Sequence, residues 1–227
     1  MVTVVLLPVK DPERSKQRLA GLLSPGERTQ LVWAMLEDVG AAVRGCRFAD
    51  RVVVVARDRE VASYAAGNGW DVFREAKQVS ESRSVDWASR RLEEEGADAV
   101  LRLPVDIPLL EARDLDALLD PAARGPAAVL VPSRDGLGTN ALLRSPPLIF
   151  PSRFGADSLQ KHLREARLRG VQVLVRTMPR LALDLDLVSD LERFHGLGKG
   201  TATHALLQRL AVGERLAELN RGARAGS

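Results

Sequence analysis

Asp106 stands alone in the apolar run LRLPVDIPLL, Leu101–Leu110, between Pro104 and Pro108. A carboxylate at the end of a buried strand either caps the next turn or holds a ligand. A second acidic spot, Asp184-Leu185-Asp186, lies far away in sequence. If that segment is extended, the alternation in ALDLD puts Asp184 and Asp186 on one face. Either can instead cap a helix that starts near Ser189. Two carboxylate sites at strand ends are what a Mg²⁺–phosphate centre needs. Mg²⁺ takes one or two protein carboxylates and fills its octahedron with phosphate oxygens and water. Each acid alone reads as a cap; as a set, Asp106, Asp184 and Asp186 read as metal ligands.

The cations for such a centre would come from KDPERSKQRL, Lys10–Leu19. Lys10, Lys16 and Arg18 can converge on a polyanion such as a triphosphate, whose charge needs several cations to neutralise it. A solvated surface loop is the competing reading, and Lys10 at a buried strand's end counts against it. The loop has no G-x-G-x-x-G, so it is not a dinucleotide fingerprint. GLGKGT (196–201) is not a P-loop either: Lys199 precedes Gly200 rather than Ser or Thr, and no buried strand leads into it. It reads as an entry to the C-terminal helix.

Two further loops suit anions. Asp135–Asn140, DGLGTN, would form a backbone nest through Gly138 and Asn140 with Thr139 as an added donor. Phe154–Ser158, FGADS, precedes a helix whose first N–H groups are free. Ordinary turns remain open for both. His162, His195 and His204 fall on helical surface patterns, and no Ser/His/Asp or Cys/His set is visible, so covalent catalysis finds no support.

These residues must be carried by a scaffold, and hydrophobic periodicity supplies one. Val2–Val9, Arg51–Ala56 and Ala99–Leu103 read as buried strands, and Asp71–Phe73 as a short one. Ala127–Val131, Asn140–Leu143 and Val171–Val175 add three more. Helices are expected from Ser24-Pro25 to about Val43, over Glu60–Ala66, Val85–Glu95, Asp114–Leu119 and Asp157–Leu168, and as one long helix over Thr201–Leu219. Strands alternating with helices predict an α/β fold with a doubly wound, mostly parallel sheet. Ligands then bind outside the carboxyl ends of the strands, where the charged loops fall.

At 227 residues the chain suits a single domain, expected over 1–220 with a disordered tail at 221–227. Thirty-three basic against thirty acidic residues leave a net charge of only +3, and 4% aromatics are too few for nucleic-acid stacking platforms. Cys46 is the lone cysteine, which excludes an internal disulfide and fits a reducing, cytoplasmic setting. The N-terminus MVTVVLLPVKD lacks a basic n-region and its apolar run ends at Val9, so neither a signal peptide nor a membrane span is expected.

Eight blocks now occur in a recognisable order: LPVK (7–10), SKQRL (15–19), LSPGER (23–28), AMLEDV (34–39), LPVDIPLL (103–110), DGLGTNALLR (135–144), FGADS (154–158) and LALDLD (181–186). The chain resembles the CofC/FbiD guanylyltransferases of coenzyme F-420 biosynthesis over roughly Val4–Glu192. The resemblance implies a nucleotidyltransferase fold of the MobA-like, nucleotide-diphospho-sugar transferase type. It implies transfer of GMP from GTP to a three-carbon phospho-carboxylate with release of pyrophosphate. The acceptors in the family are 2-phospho-L-lactate, phosphoenolpyruvate or 3-phospho-D-glycerate.

Carried over, Asp106, Asp184 and Asp186 would hold Mg²⁺ on the GTP phosphates, and Lys10, Lys16 and Arg18 would neutralise them. Thr139, Gly155 and Ser158 match positions that contact the phospho-acid. Partners would be GTP, the phospho-acid and the downstream transferase, with a homodimer left open. One stretch departs: many members carry a Leu-Asn pair before the helix after the third strand, where this chain has SESRSVDWASRRL (80–92). Glu81, Ser82 and Ser84 are the candidates there for reading a guanine edge. A nucleotide-sugar glycosyltransferase and a non-catalytic GTP-binding subunit are the alternatives; the first would want Asp-x-Asp, and position 104 is Pro.

Overall fold

The computed structural model describes residues 1–75, 79–120 and 127–225. Its centre is β1 (Thr3–Pro8), six residues all buried. A strand covered on both faces reads as a continuous apolar run rather than an alternation, and TVVLLP does so. Val5 and Leu7 pack into one core and Val4 and Leu6 into another on the opposite face, as the period of two requires.

α1 (Pro25–Gly45) opens with a capping box between Ser24 and Glu27 and Pro at its first position, as expected. Its buried stripe, Leu36, Val39 and Val43, lies on the first core with residues of α2 (Arg59–Gly67). β2 (Arg51–Ala56) and β3 (Asp71–Arg74) add in parallel on one side of β1. β4 (Ala99–Arg102) adds in parallel on the other. Between β3 and β4 runs α3 (Glu81–Glu94), on the opposite face of the sheet from α1. It begins at Glu81 rather than Val85, because Ser80 accepts from the Arg83 N–H and caps it. Glu81, Ser82 and Ser84 therefore sit on a helical turn and not in a loop.

After α4 (Ala112–Leu119), β5 (Ala128–Pro132) and β6 (Thr139–Arg144) form a hairpin. α5 (Ser158–Leu168) packs on the α3 side of this half of the sheet, with Phe154 bridging the two cores. β7 (Val173–Val175) closes the order β3-β2-β1-β4-β6-β5-β7. Among the described strands only β6 runs against its neighbours. The mostly parallel sheet is thus as predicted, with one reversed strand, β6, set between β4 and β5.

A four-residue helix, α6 (Pro179–Ala182), leads into the extended stretch 183–187 and α7 (Val188–Leu197). The long C-terminal helix expected over 201–219 is two helices, α8 (Ala202–Arg209) and α9 (Val212–Ala225). Ala211 between them takes a left-handed conformation, φ 51°. A straight helix would turn Val212 about 240° around from Leu206, off the shared face. The break lets Leu206, Leu207, Val212 and Leu216 reach one core with Leu31 and Phe194. GLGKGT, expected as an entry to the last helix, joins α7 to α8. There Thr201 caps α8 by accepting from the His204 N–H. The Asp38 carboxylate of α1 also receives the N–H groups of Ala202 and Thr203, tying α8 to α1. Among the described residues, no helix is long and apolar enough to cross a membrane.

Candidate active site

A cleft of about 790 Å³ lies at the carboxyl ends of β1 and β4, lined by Lys10, Lys16, Glu81, Arg102, Asp106 and Asp186 among others. That volume falls within the range of small-ligand sites, about 300–1,000 Å³. The ammonium of Lys16 lies 2.6 Å from Asp106 Oδ2 and 2.6 Å from Asp186 Oδ1. Two carboxylates on different loops, 90 and 170 residues along the chain from their cation, converge on one point.

Backbone geometry explains the convergence. Leu103 N–H donates to Leu6 C=O, extending the β1–β4 pairing into the loop that carries Asp106. Leu185 N–H donates to Asp106 C=O at 3.0 Å, which lays the 183–186 stretch beside that loop. Leu183 and Leu185 bury into the core, so Asp184 and Asp186 turn to the other face, as the alternation predicted. Lys16 itself is left-handed, φ 56°. A non-glycine residue there costs on the order of 1–2 kcal/mol, and the paired carboxylates hold it in place.

Charge follows geometry. Burial works against both ions of the central pair, yet it is outweighed. Asp106 is held below the usual carboxylate range by the Lys16 ammonium, with help from Arg102, and Lys16 is held above its own ordinary value by Asp106 and Asp186. Asp184 goes the other way: burial, then the negative charge of Asp106, push its carboxyl up. Asn140 Nδ2 donates to Asp184 Oδ1 at 3.2 Å and to Leu181 C=O at 2.8 Å, so Asn140 orients an acid rather than offering itself to a ligand.

Whether Mg²⁺ fits can be judged from these side chains. Hard carboxylate oxygens from two loops already converge on a cation, and a third carboxyl, Asp184, lies near the charges of Asp106 and Asp186. Among the described residues no cluster of three or more His, Cys, Asp or Glu side chains forms a ready metal cage. Carboxylate oxygens of this kind are compatible with an ion that takes one or two protein carboxylates and draws its other ligands from phosphate and water, as Mg²⁺ does.

Glu81 is the second anchor of the cleft. Its carboxylate pairs with Lys10 at 3.2 Å and with Arg102. Burial opposes its charge, but the Arg102 and Lys10 cations hold the carboxyl below its ordinary value. Arg102 went unnoticed in the sequence. Its guanidinium, 8% exposed, stacks over the Phe154 ring at 4.3 Å and reaches the carbonyls of Thr139 and Asn140. An arginine inside an otherwise apolar strand was the available signal, since such a charge is buried only when paired.

Other predicted residues are placed differently. Arg18 is exposed on a short 3-10 turn, Gln17–Leu19, and does not line the cleft. Ser84 is fully buried and donates to the Glu75 carboxylate, so it faces the interior and cannot read a base. Ser82 Oγ receives the Phe154 N–H at 2.8 Å and fastens FGADS to α3. The DGLGTN turn fills its own nest: Asp135 accepts from the Leu137 N–H and Ser133 Oγ accepts from the Gly138 N–H. Gly155 has φ 112°, the conformation that favours glycine just before α5. Thr139 and Ser158 come together, Oγ to Oγ at 3.2 Å, both almost wholly buried. Of the histidines, His195 is exposed as expected, whereas His162 and His204 are buried. His162 escapes the surface because the start of α5 lies under Phe150 and Phe154.

Comparison with known proteins bears on this geometry. The structure of a Desulfovibrio desulfuricans G20 protein assigned as a nucleotide-diphospho-sugar transferase superposes with a TM-score of 0.76, at 19% identity, over 96% of this chain and 98% of that one. A nucleotidyl transferase from Methanothermobacter thermautotrophicus gives 0.58 at 20% identity over 86% and 95%. Sequence relatives are nearer. The phosphoenolpyruvate guanylyltransferase of Rubrobacter xylanophilus is 40% identical over 87% of this chain and 96% of its own. The 2-phospho-L-lactate guanylyltransferase of M. thermautotrophicus is 36% identical over 92% of each. The 3-phospho-D-glycerate guanylyltransferase of Colwellia psychrerythraea is 33% identical over 85% and 90%. The family model described as guanylyl transferase, CofC-like, matches residues 3–224. With nearly its whole length matched, and its acids and lysine gathered at the ends of β1 and β4, this chain belongs to the CofC family of guanylyl transferases.

Proposed function

We propose that the protein transfers GMP from GTP to a three-carbon phospho-carboxylate, releasing pyrophosphate, and that phosphoenolpyruvate is the acceptor. The observation that carries the transfer chemistry is the convergence of Lys16, Asp106 and Asp186 in the cleft. The choice of acceptor is supported by the names of the relatives at 40% and 37% identity.

Asp106 and Asp186 would hold Mg²⁺, with Asp184 beside them as a further carboxylate. The bound ion would neutralise charge on the phosphate oxygens as the bond to the leaving pyrophosphate breaks. Were the two acids to hold the ion, the Lys16 ammonium between them would be free to pair with the triphosphate; Lys10, beside Glu81, would add a second cation at the cleft. The acceptor's own phosphate oxygen attacks the α-phosphorus, so no protein nucleophile is needed. The protein's share is to hold the two anions in line and to screen their repulsion. Thr139, Ser158 and the Gly155 turn would take the phospho-acid at the start of α5, next to Arg102. Glu81 would face the nucleotide across the cleft. We place the reaction in cytoplasmic coenzyme F-420 biosynthesis, with the product passing to the downstream transferase.

Pyrophosphate release with GTP and Mg²⁺, measured separately for the three phospho-acids, tests the proposal. Release is expected with phosphoenolpyruvate and is expected to fall at least about 100-fold in Asp106→Asn. No release with any acceptor, with the downstream enzyme present to draw off product, would overturn the transferase reading and favour a GTP-binding subunit.

A further inference from the structure

His162 has no place in the chemistry above, yet its ring is fully buried beside the proposed phospho-acid contacts. Its Nε2 accepts the backbone N–H of Arg153 at 2.8 Å, so that nitrogen carries no proton. Burial first, then the cations of Arg144, Arg102 and Arg153, push its pKa down to about 3. The ring is neutral, and its single proton sits on Nδ1. Nδ1 lies 3.0 Å from Thr139 Oγ1 and therefore donates to it.

Proton counting then fixes the polarity of the hydroxyls. Thr139 and Ser158 own two O–H protons between them. One is used in the bond that joins them, at 3.2 Å. The other cannot go to His162, because the nitrogen facing Thr139 already holds a proton. Among the described residues neither hydroxyl has a further partner. Whichever way the bond between them runs, one O–H is left over, in a pair 5% and 2% exposed. A buried donor without an acceptor costs on the order of 1–3 kcal/mol, and a carboxylate or phosphate oxygen, which only accepts, would complete it.

We propose that His162 is a positioning residue: it holds the Thr139–Ser158 pair in the donor state that receives an anionic oxygen of the phospho-acid. The inference rests on the reading of Thr139 and Ser158 as phospho-acid contacts. With the tautomer reversed, the leftover proton would turn inward to the ring, and the pair would offer the substrate lone pairs instead.

Three variants and one spectrum test this. Asn at 162 places an amide N–H where Nδ1 was; Gln places its amide where Nε2 was and leaves Thr139 without its donor. The KM for the phospho-acid is expected to rise about tenfold in His162→Gln and in Thr139→Val, and to stay within about threefold of wild type in His162→Asn. The KM for GTP is expected to be unchanged throughout. Equal phospho-acid KM values in the Gln and Asn variants, with Thr139→Val impaired, would overturn the role of His162 alone. An unimpaired Thr139→Val would overturn the subsite reading beneath it. The ¹⁵N spectrum of the wild-type histidine side chains is independent of how the variants fold. It is expected to show one imidazole protonated only on Nδ1 at pH 6, and an Nε2–H or doubly protonated ring at 162 would overturn the proposal.

Discussion

Lowering the pH should weaken this fold through His162 by an amount that can be worked out in advance. The folded ring titrates at about 3, against an ordinary value of 6.5 in the unfolded chain. Between those two values the unfolded state binds a proton that the folded state refuses. Stability from this group is therefore full above pH 6.5, falls as the pH drops below it, and stops falling near 3. Each pH unit within the window is worth about 1.4 kcal/mol, so moving from pH 7 to pH 5 costs about 2 kcal/mol. The figure depends on the unfolded value far more than on the folded one, because pH 5 lies well above 3. Other groups titrate over the same range, so the assay is a difference: urea unfolding of wild type and His162→Asn, each at pH 7 and pH 5. Wild type is expected to lose about 2 kcal/mol more than the variant. A difference in loss below about 0.5 kcal/mol, the usual error of such comparisons, would show that the ring is not held neutral and would remove the tautomer argument with it.

Two other outcomes follow from the buried charges. Lys16→Met should lose turnover, yet bind Mn²⁺ more tightly in the absence of nucleotide, because the ammonium no longer competes for Asp106 and Asp186; weaker Mn²⁺ binding in an electron paramagnetic resonance titration would refute the exchange. Arg144 is 1% exposed and binds Asp86, Ser89 and the Phe150 carbonyl. Arg144→Met should destabilise by about 3–5 kcal/mol in urea, with part recovered by Asp86→Asn, since the loss comes from an acid left without its cation; a cost under about 1 kcal/mol would contradict this.

Sequence periodicity located the strands that matter because β1, β2 and β4 are buried on both faces, and nothing but an apolar run can fill such a position. The alternation of Leu183, Asp184, Leu185 and Asp186 was equally legible, since one face must go inward. Loop closure was not. Lys10 and Lys16 looked alike as basic residues after a strand, but only Lys16 is bent back onto the acids by its left-handed backbone, while Arg18 turns to solvent. Ser84 and His162 depart from their sequence patterns for the same reason. Their surroundings are set beyond the reach of a helical or strand period, by Glu75 and Arg153, each nine residues away, and by Thr139, twenty-three away. The break at Ala211 was hidden too, because alanine favours helix and only the need to bury Leu206 and Val212 together overrides it.

β6 runs against its neighbours and so brings its first residues, Thr139 and Asn140, to the same rim where β1 and β4 deliver the loops that carry Lys16 and Asp106. The strand that feeds it arrives through the hairpin turn 133–138, whose polar groups satisfy one another and whose Leu137 is half exposed. The Leu137 carbonyl also receives the Leu159 N–H, which ties this turn to the first residues of α5. On the proposed reading, the reversed strand and the start of α5 present the acceptor's side of the cleft, and the loops after two parallel strands present the nucleotide's side, so the two substrates are gripped by separately anchored parts of one sheet.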